Sequence, residues 1–226
     1  SSATVCRGTA ANLTASGATT YSWNTGATTA SISVTPTTTT NYTVTGTSTG
    51  CTNTRTLSVT VNATPTVAAT SKTVCLGAAA TLTASGASSY AWNTGATTSS
   101  ISVTPTITTN YTVVGTNTLG CSNTRTLAVT VNPLPNVAST SATICAGATA
   151  TITASGASTY SWNTGATTAN LTASPASNTN YTVTGTSAAG CVKTTTASIT
   201  VGAAPSISVN SSTICAGATA TLAASG

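Results

Sequence analysis

The chain has 226 residues and a net charge of +5, and it contains neither Asp, Glu nor His. General acid–base catalysis requires a group that exchanges a proton near the working pH, and this chain has neither a carboxylate side chain nor an imidazole for that role. Carboxylates and imidazoles are also the usual metal ligands, so only the cysteines remain as candidates. The composition therefore predicts a protein that is not an enzyme, with no cofactor and no metal site.

The few cationic side chains lie singly along the chain and form no basic stripe. They are Arg7, Arg55, Lys72, Arg125 and Lys193. Affinity for nucleic acid depends on clustered phosphate contacts, so we expect no nucleic-acid partner. No apolar run approaches the roughly 18 residues of a membrane span, and we expect no membrane span in this segment. The segment reads as an interior piece of a longer chain.

The whole sequence superposes on itself at a shift of 69 or 70 residues. A tryptophan, an early cysteine and a late cysteine recur in each unit; they are Trp23, Trp92 and Trp162, then Cys6, Cys75, Cys145 and Cys215, then Cys51, Cys121 and Cys191. Self-similarity at such a period is typical of tandem arrays. We predict repeat 1 at 1–64 with its first strand missing, repeat 2 at 65–133, repeat 3 at 134–204, and the start of a truncated repeat 4 at 205–226.

Repeat 2 shows the predicted strands in chain order. Pro65 leads into an edge strand with Val67 and Val74, and residues 80–84 alternate around Leu82 as a core strand does. Tyr90 and Trp92 follow on one strand before an Asn-Thr-Gly turn. Alternating strands are then predicted at 100–104, 110–116 and 127–131, the first of them ended by a proline.

Six or seven short strands with turns at this spacing predict an all-β fold, namely tandem immunoglobulin-like β-sandwich domains of about 70 residues each. A parallel β-helix is the alternative, but its coils repeat every 20 to 30 residues, and no such shorter period is present. The predicted core aromatic residues are Trp23, Trp92, Trp162, Tyr42, Tyr111 and Tyr181.

Each complete unit carries two cysteines, and independent folding of the units favours a pairing within each unit. This predicts the disulfides Cys6–Cys51, Cys75–Cys121 and Cys145–Cys191, with Cys215 pairing outside the segment, about one repeat beyond Cys191. Six cysteines allow fifteen pairings, so the connectivity stays open at this stage. Reduced buried thiols are an alternative, and metal ligation is disfavoured because no unit holds more than two thiols. Small domains with thin cores usually need such a covalent link.

The motifs resemble a known family. The segment SWNTGATTASISVTPTTTTNYTVTG at 22–46, then Gly50 and Cys51, then LSVTVN at 57–62, is similar to the immunoglobulin-like repeat of large secreted cell-surface proteins of Bacteroidetes, including gliding adhesins. The pattern recurs in repeats 2 and 3. The resemblance implies an extracellular or cell-surface location and export across the outer membrane. The loop before the late cysteine lacks the Asp that family members often carry, so the resemblance implies no calcium site here.

The function predicted is a structural or adhesive segment of an extracellular filament or stalk, giving reach and stiffness through the short proline-containing linkers at 62–65, 132–135 and 202–205. A polysaccharide-binding module acting through Thr-rich faces, such as Thr43, Thr45 and Thr47, is one alternative. An accessory spacer of a secreted enzyme is the other. Threonine and serine hydroxyls are also predicted glycosylation acceptors. Edge strands with few charges predict self-association into filaments or bundles.

Overall fold

The computed structural model describes residues 2–225, and all regular secondary structure in that range is β-strand. Ser1 and Gly226, the outer limits of the predicted repeat 1 and repeat 4, lie outside the described residues. The chain divides into two compact units, one ending at Val131 and one beginning at Asn132. Repeats 1 and 2 lie in the first unit, and repeat 3 and the residues after it lie in the second.

Repeat 1 contains six strands in two sheets. They are β1 (Ala3–Cys6), β2 (Ala11–Thr14), β3 (Thr20–Trp23), β4 (Ser31–Val34), β5 (Thr40–Ser48) and β6 (Cys51–Asn62). One sheet has the order β1-β6-β5-β3 and the other contains β2 and β4. The neighbours are antiparallel except β1, which runs parallel to β6. The strand that begins the repeat therefore lies beside the C-terminal end of the long strand β6, with Cys6 opposite Asn62.

Repeat 2 has the same arrangement with one additional short strand. Its strands are β7 (Ala68–Ala69), β8 (Lys72–Cys75), β9 (Ala80–Ser85), β10 (Ser89–Trp92), β11 (Ser100–Val103), β12 (Thr109–Thr116) and β13 (Ser122–Asn132). The sheets have the orders β10-β12-β13-β8 and β11-β9-β7. The first stretch of the repeat thus contributes β7 to one sheet and β8 to the other.

The second unit repeats this topology. Its strands are β14 (Ala138–Ser139), β15 (Ala142–Cys145), β16 (Ala150–Ser155), β17 (Thr159–Trp162), β18 (Asn170–Ala173), β19 (Thr179–Thr186) and β20 (Val192–Gly202), followed by the two-residue strands β21 (Ser208–Val209) and β22 (Ala224–Ser225). The sheets have the orders β15-β20-β19-β17 and β14-β16-β18, and β21 pairs with β22. Strand β15 runs parallel to β20, as β1 does to β6.

Strict alternation along the strands places the apolar side chains between the two sheets. In β9 the residues Ala80, Leu82 and Ala84 are buried while the threonines and serine between them are exposed, as expected for a strand with one solvated face. Each repeat has its own cluster of buried residues. The predicted fold class, tandem immunoglobulin-like β-sandwiches, is confirmed by this two-sheet topology.

A tryptophan lies at the centre of each core. Trp23, Trp92 and Trp162 are only 2–4% exposed, and each indole Nε1 donates a hydrogen bond of 2.9 Å to a backbone carbonyl six residues later. That bond satisfies the one polar atom of the ring, which allows the rest of the ring to be buried. Tyr42, Tyr111 and Tyr181 are each 8% exposed and lie in the same three clusters.

Candidate functional site at the junction of repeats 1 and 2

A disulfide joins repeats 1 and 2, and the predicted pairing within each repeat is wrong. Cys6 of repeat 1 bonds to Cys121 of repeat 2, with the two Cα atoms 5.5 Å apart and 115 residues between them in sequence. This bond contradicts Cys6–Cys51 and Cys75–Cys121. Cys145 is a free cysteine, which contradicts Cys145–Cys191. Cys75 and Cys191 are both disulfide-bonded.

The strand register explains why the two cysteines of repeat 1 do not pair. Cys6 ends β1 and lies beside Asn62, the last residue of β6, whereas Cys51 is the first residue of β6. At about 3.3 Å per residue, a strand of this length separates them by roughly 35 Å, and a disulfide needs Cα atoms within about 7 Å. The early cysteine therefore lies at the end of the sandwich from which the chain leaves for the next repeat.

The late cysteine of repeat 2 lies at the other side of the same junction. Cys121 precedes β13 and is 0% exposed, and its Sγ is 3.9 Å from the carbonyl oxygen of Asn62. The disulfide consequently packs against the first residue of the linker. Cys6 is partly exposed, so solvent reaches the bond from the repeat 1 side.

Two asparagines of repeat 2 hold the linker by hydrogen bonds. The Asn117 amide donates to the carbonyl of Ala63 at 2.9 Å, and the Asn123 amide donates to the carbonyl of Pro65 at 3.1 Å. Side-chain amides are suited to this task because Pro65 lacks a backbone N–H and leaves carbonyls as the main linker groups to satisfy. The linker is therefore bound to repeat 2 on both sides of Thr64.

The extra residue in the hairpin loop of repeat 2 makes this arrangement possible. The Asn117 side-chain oxygen accepts bonds from the backbone N–H groups of Leu119 and Cys121, each at 3.0 Å, and Gly120 adopts a φ of 78°. The loop thus presents the Asn117 amide and Cys121 to the linker. In repeat 1 the equivalent hairpin is a two-residue turn with Thr49 and Gly50 at positive φ, and Cys51 is exposed.

The second unit shows the same local geometry around its own late cysteine. Cys191 is 0% exposed and its Sγ is 3.9 Å from the carbonyl oxygen of Asn132. Ser187 takes the place of Asn117, and its hydroxyl accepts a bond of 3.1 Å from the Cys191 N–H. Lys193 stands where repeat 2 has Asn123, so the linker contact of that amide is specific to repeat 2.

The other features considered as functional sites are metal-ligand clusters, membrane spans and the Thr-rich face. Within residues 2–225 there is no cluster of three or more potential metal-ligating side chains and no helix that is long and apolar enough to cross a membrane. Half-buried threonines of β5 pair with exposed threonines of β6, as in Thr43 with Thr56 and Thr45 with Thr54, at 3.1 and 3.0 Å between hydroxyl oxygens. The Thr-rich face is therefore an ordered row of hydroxyls.

Comparison with known proteins gives likenesses of fold. No family profile matches the chain and no curated protein matches it. Among solved structures, extracellular domains 3–5 of Drosophila OTK match at 12% identity and a TM-score of 0.37, over 89% of this chain and 94% of that one. A titin I-band fragment matches at 12% and 0.36, over 89% and 96%. A Ca2+-stabilised adhesin with which an Antarctic bacterium reaches out and binds ice matches at 18% and 0.34, over 89% and 71%.

Proposed function

We propose that this chain is a structural and adhesive segment of an extracellular or cell-surface stalk, with no enzymatic activity of its own, in which covalent links between consecutive repeats provide reach and stiffness. The observation that carries this proposal is the Cys6–Cys121 disulfide across the junction. A disulfide inside a domain stabilises that domain alone. A disulfide across a junction fixes one repeat to the next.

The position of this bond has a mechanical consequence. A pull on the two ends of the chain reaches Cys6 and passes through the disulfide to Cys121, because the covalent bond is shorter than the chain between them. The residues inside that loop carry no tension, so unfolding of their strands does not lengthen the molecule. A stalk that holds a cell against flow benefits from this property, since its length stays constant while a domain opens transiently.

The repeat limits proposed for the following part of the chain are 65–133 and 134–204. Cys75 and Cys191 occupy, in repeats 2 and 3, the positions that Cys6 and Cys121 occupy in repeats 1 and 2, and both are disulfide-bonded.

The location follows from the chemistry of the cysteines. Disulfides persist in oxidising surroundings such as the cell exterior and are rare in reducing compartments. The resemblance of the WNTGATT and NYTVTG motifs to repeats of secreted Bacteroidetes surface proteins, gliding adhesins among them, supports the same location. We propose that the chain belongs to such a surface protein.

A second role for the exposed face is the binding of polysaccharide, together with glycosylation of Thr and Ser and lateral association of edge strands. The paired hydroxyls of Thr43 with Thr56 and of Thr184 with Thr194 favour this role. All nine aromatic residues are buried or half-buried, so a sugar ring finds no aromatic platform on the described surface. Binding on a glycan array by the full chain, lost on replacing Thr43 and Thr45 by Val, supports this role; an empty array contradicts it.

Single-molecule force spectroscopy on the full chain, with handles at both ends, tests the stalk function. Because Cys75 and Cys191 are also disulfide-bonded, the measurement uses a Cys75→Ala, Cys191→Ala background. In that background reduction should raise the contour length released on unfolding by about 400 Å for the Cys6–Cys121 loop, at roughly 3.5 Å per extended residue. Adding Cys6→Ala and Cys121→Ala to the background should show that gain without reductant, and adding Cys51→Ala with Cys215→Ala should not. Equal lengths before and after reduction contradict the proposal.

A further inference from the structure

The last strand of a repeat is paired along only part of one of its edges. In repeat 3, β20 pairs with β15 through residues 199–202 only, and in repeat 1, β6 pairs with β1 through residues 59–62 only. On its other side β20 pairs with β19 from residue 192 onward. The first half of the last strand therefore has one edge that no strand covers within residues 2–225.

The backbone groups of this uncovered edge point outward at every second residue. The N–H of Ser198 donates a hydrogen bond of 3.0 Å to the hydroxyl of Ser141, which precedes β15 on the side of β20 away from β19. Because backbone groups alternate in direction along a strand, those of Thr194 and Thr196 point to that same side. Repeat 2 has the equivalent hydrogen bond at Ala128. Such a row of backbone donors and acceptors is a template for pairing with another chain.

Two other edges of each sandwich are partly covered by local hydrogen bonds. In repeat 3 the N–H of Trp162, at the end of β17, donates to the carbonyl of Ala166 at 2.8 Å, so the following turn folds over this edge. The hydroxyl of Thr168 donates to the carbonyl of Asn170 in β18 at 2.6 Å. Both hydrogen bonds recur in repeats 1 and 2. These edges belong to strands of four residues, whereas β20 has eleven, and short edge strands are poor templates for pairing.

The few charges of the chain are concentrated on the uncovered half of the last strand. Arg55 lies there in β6, Arg125 in β13 and Lys193 in β20, so each of the three repeats carries one cation at this place. All three side chains are exposed. The other two cations of the chain are Arg7, in the turn after β1, and Lys72, the first residue of β8. A charge thus accompanies the long uncovered edge of each sandwich.

These cations lie on the face of the strand that continues into the core. Arg125 precedes the buried Leu127 by two residues, which places both side chains on one face, and Arg55 holds the equivalent place in repeat 1. In repeat 3 the residue at the arginine position is Thr195, and the charge lies two residues earlier, at Lys193. The position of the charge shifts, while its strand and its face stay the same. This pattern indicates a role that depends on the charge itself and not on one particular contact.

We propose that the uncovered half of the last strand is a pairing surface for a second copy of this chain, and that three edge cations, Arg55, Arg125 and Lys193, keep the copies apart. This inference rests on the lateral association of edge strands proposed above, and it names the edge and the groups that control it. Pairing of two such edges brings a cation of each copy close to that of the other. Like charges that meet across paired strands are destabilising, and the chain has no carboxylate side chain to neutralise them. Inward-pointing charges are a known means by which proteins prevent edge-to-edge pairing.

The sign and spacing of the charges favour another copy as the partner. An anionic polymer is held by several clustered cations, and each uncovered edge supplies a single cation. A second copy brings the same cation and no anionic side chain, so the repulsion is mutual. Salt screens repulsion between exposed charges. Added salt should therefore convert separate copies into laterally paired ones.

Analytical ultracentrifugation of the full chain tests this inference. The free cysteines, Cys51, Cys145 and Cys215, are replaced by alanine so that no disulfide forms between copies. The chain is compared at about 0.01 M and about 0.15 M sodium chloride, between which the Debye length falls from about 30 Å to about 8 Å. Dimerisation should be stronger at the higher salt concentration.

Variants of one edge cation separate its effect from that of net charge. Lys193→Thr should lower the dissociation constant of the dimer at low salt by at least about tenfold, because like charges at an interface are costly, and it should weaken the salt dependence. Arg7→Thr removes one cation at the other end of β6, beside Asn62, and should change the constant less than about threefold, as is usual for a surface substitution outside a contact. Lys193→Arg keeps the charge and should behave as the unsubstituted residue does.

Hydrogen exchange locates the contact. Dimerisation should slow exchange of the Thr194 and Thr196 amides and leave unchanged the amide of Thr172 in β18. Equal effects of Lys193→Thr and Arg7→Thr, protection of Thr172 instead, or a dimer that weakens as salt is added overturns the role of the edge cations and leaves lateral association standing. A chain that stays monomeric in every variant and at both salt concentrations overturns both. The force measurement on single molecules decides the stalk function separately.

Discussion

Repeats 1 and 2 have closely similar sequences and the same order of strands in their larger sheets. The hairpins that precede their late cysteines, Cys51 and Cys121, nevertheless differ in length and in the contacts they make. In repeat 2 the longer loop directs Asn117 and buried Cys121 onto the preceding linker. In repeat 1 the equivalent hairpin is a two-residue turn at Thr49 and Gly50, and Cys51 is exposed. The longer loop of repeat 2 thus enables this end of the sandwich to hold the linker and the cysteine of the repeat before it.

Removal of the Cys6–Cys121 disulfide, which repeat 2 makes through its late cysteine, has the largest expected effect on stability. The Cys6→Ala, Cys121→Ala double variant removes a crosslink between residues 115 apart, and the chain-entropy model predicts a loss of about 5 kcal/mol in the free energy of unfolding. Denaturant unfolding followed by circular dichroism measures it.

The matched control for that variant is Cys51→Ala with Cys215→Ala, because both thiols are exposed and free. We expect it to change the free energy of unfolding by less than about 0.5 kcal/mol, as is usual for surface substitutions. Equal losses in the two double variants would show that the junction bond contributes nothing specific.

Alanine substitution at two equivalent glycines, Gly17 and Gly86, has the next largest expected effect on stability. Gly17 and Gly86 have nearly the same φ, 90° and 87°, so alanine at either costs about 1–2 kcal/mol for the left-handed conformation. At Gly86 the added Cβ also collides with the backbone carbonyl of Thr66, whereas Gly17 has nothing within 4 Å. We expect Gly86→Ala to lower the free energy of unfolding by at least about 2 kcal/mol more than Gly17→Ala does.

The glycine comparison is measured by urea unfolding of the two single variants of the full chain. Equal costs would indicate that the backbone near Thr66 moves away freely and that the strand position in repeat 2 is loosely held.

A smaller effect is expected from the loop of repeat 2. Asn117→Ala removes two hydrogen bonds within the loop and one to Ala63, and we expect a loss of about 2 kcal/mol. Ser187→Ala in repeat 3 removes a single bond to Cys191 and should cost about 1 kcal/mol or less. Hydrogen exchange of the Cys121 and Cys191 amides reports each loop separately, and a larger effect at Ser187 contradicts the ranking.

The smallest expected effect is that of pH. The chain has no Asp, Glu or His, so no side chain has an ordinary pKa between about 4.5 and 7. Proton binding then does not differ between the folded and unfolded states in that interval, and stability is constant. Urea midpoints should coincide at both ends of the interval, and a steep change would point to a titrating contact at a chain terminus.

Much of each sandwich could be predicted from the repeat. The alternation around Leu82 predicted a core strand, and the structure has β9 there with Leu82 fully buried. The aromatic residues Trp92 and Tyr111 were predicted in the core and lie in it. These predictions succeeded because burial along a strand follows a local period of two, which a single sequence displays.

The cysteine pairing could not be predicted by the same means. Equal numbers of early and late cysteines favoured pairing within a unit, but nothing local in the sequence specifies that β1 runs parallel to β6 and places Cys6 beside Asn62. Two features of the sequence could have indicated a different pairing. Cys6 and Cys51 lie near the two ends of the repeat in sequence. The loop before Cys121 is one residue longer than the turn before Cys51, which indicates that the two hairpins have different structures.

By itself the sequence determined the period, the all-β sandwich, the buried tryptophans and the near absence of ionisable groups, because each depends on residue type and spacing along one strand. The tertiary structure decided which cysteines meet and which linker carbonyls the asparagines bind. Those features depend on which ends of two sandwiches come together, and that is set by strand direction and pairing between distant parts of the chain.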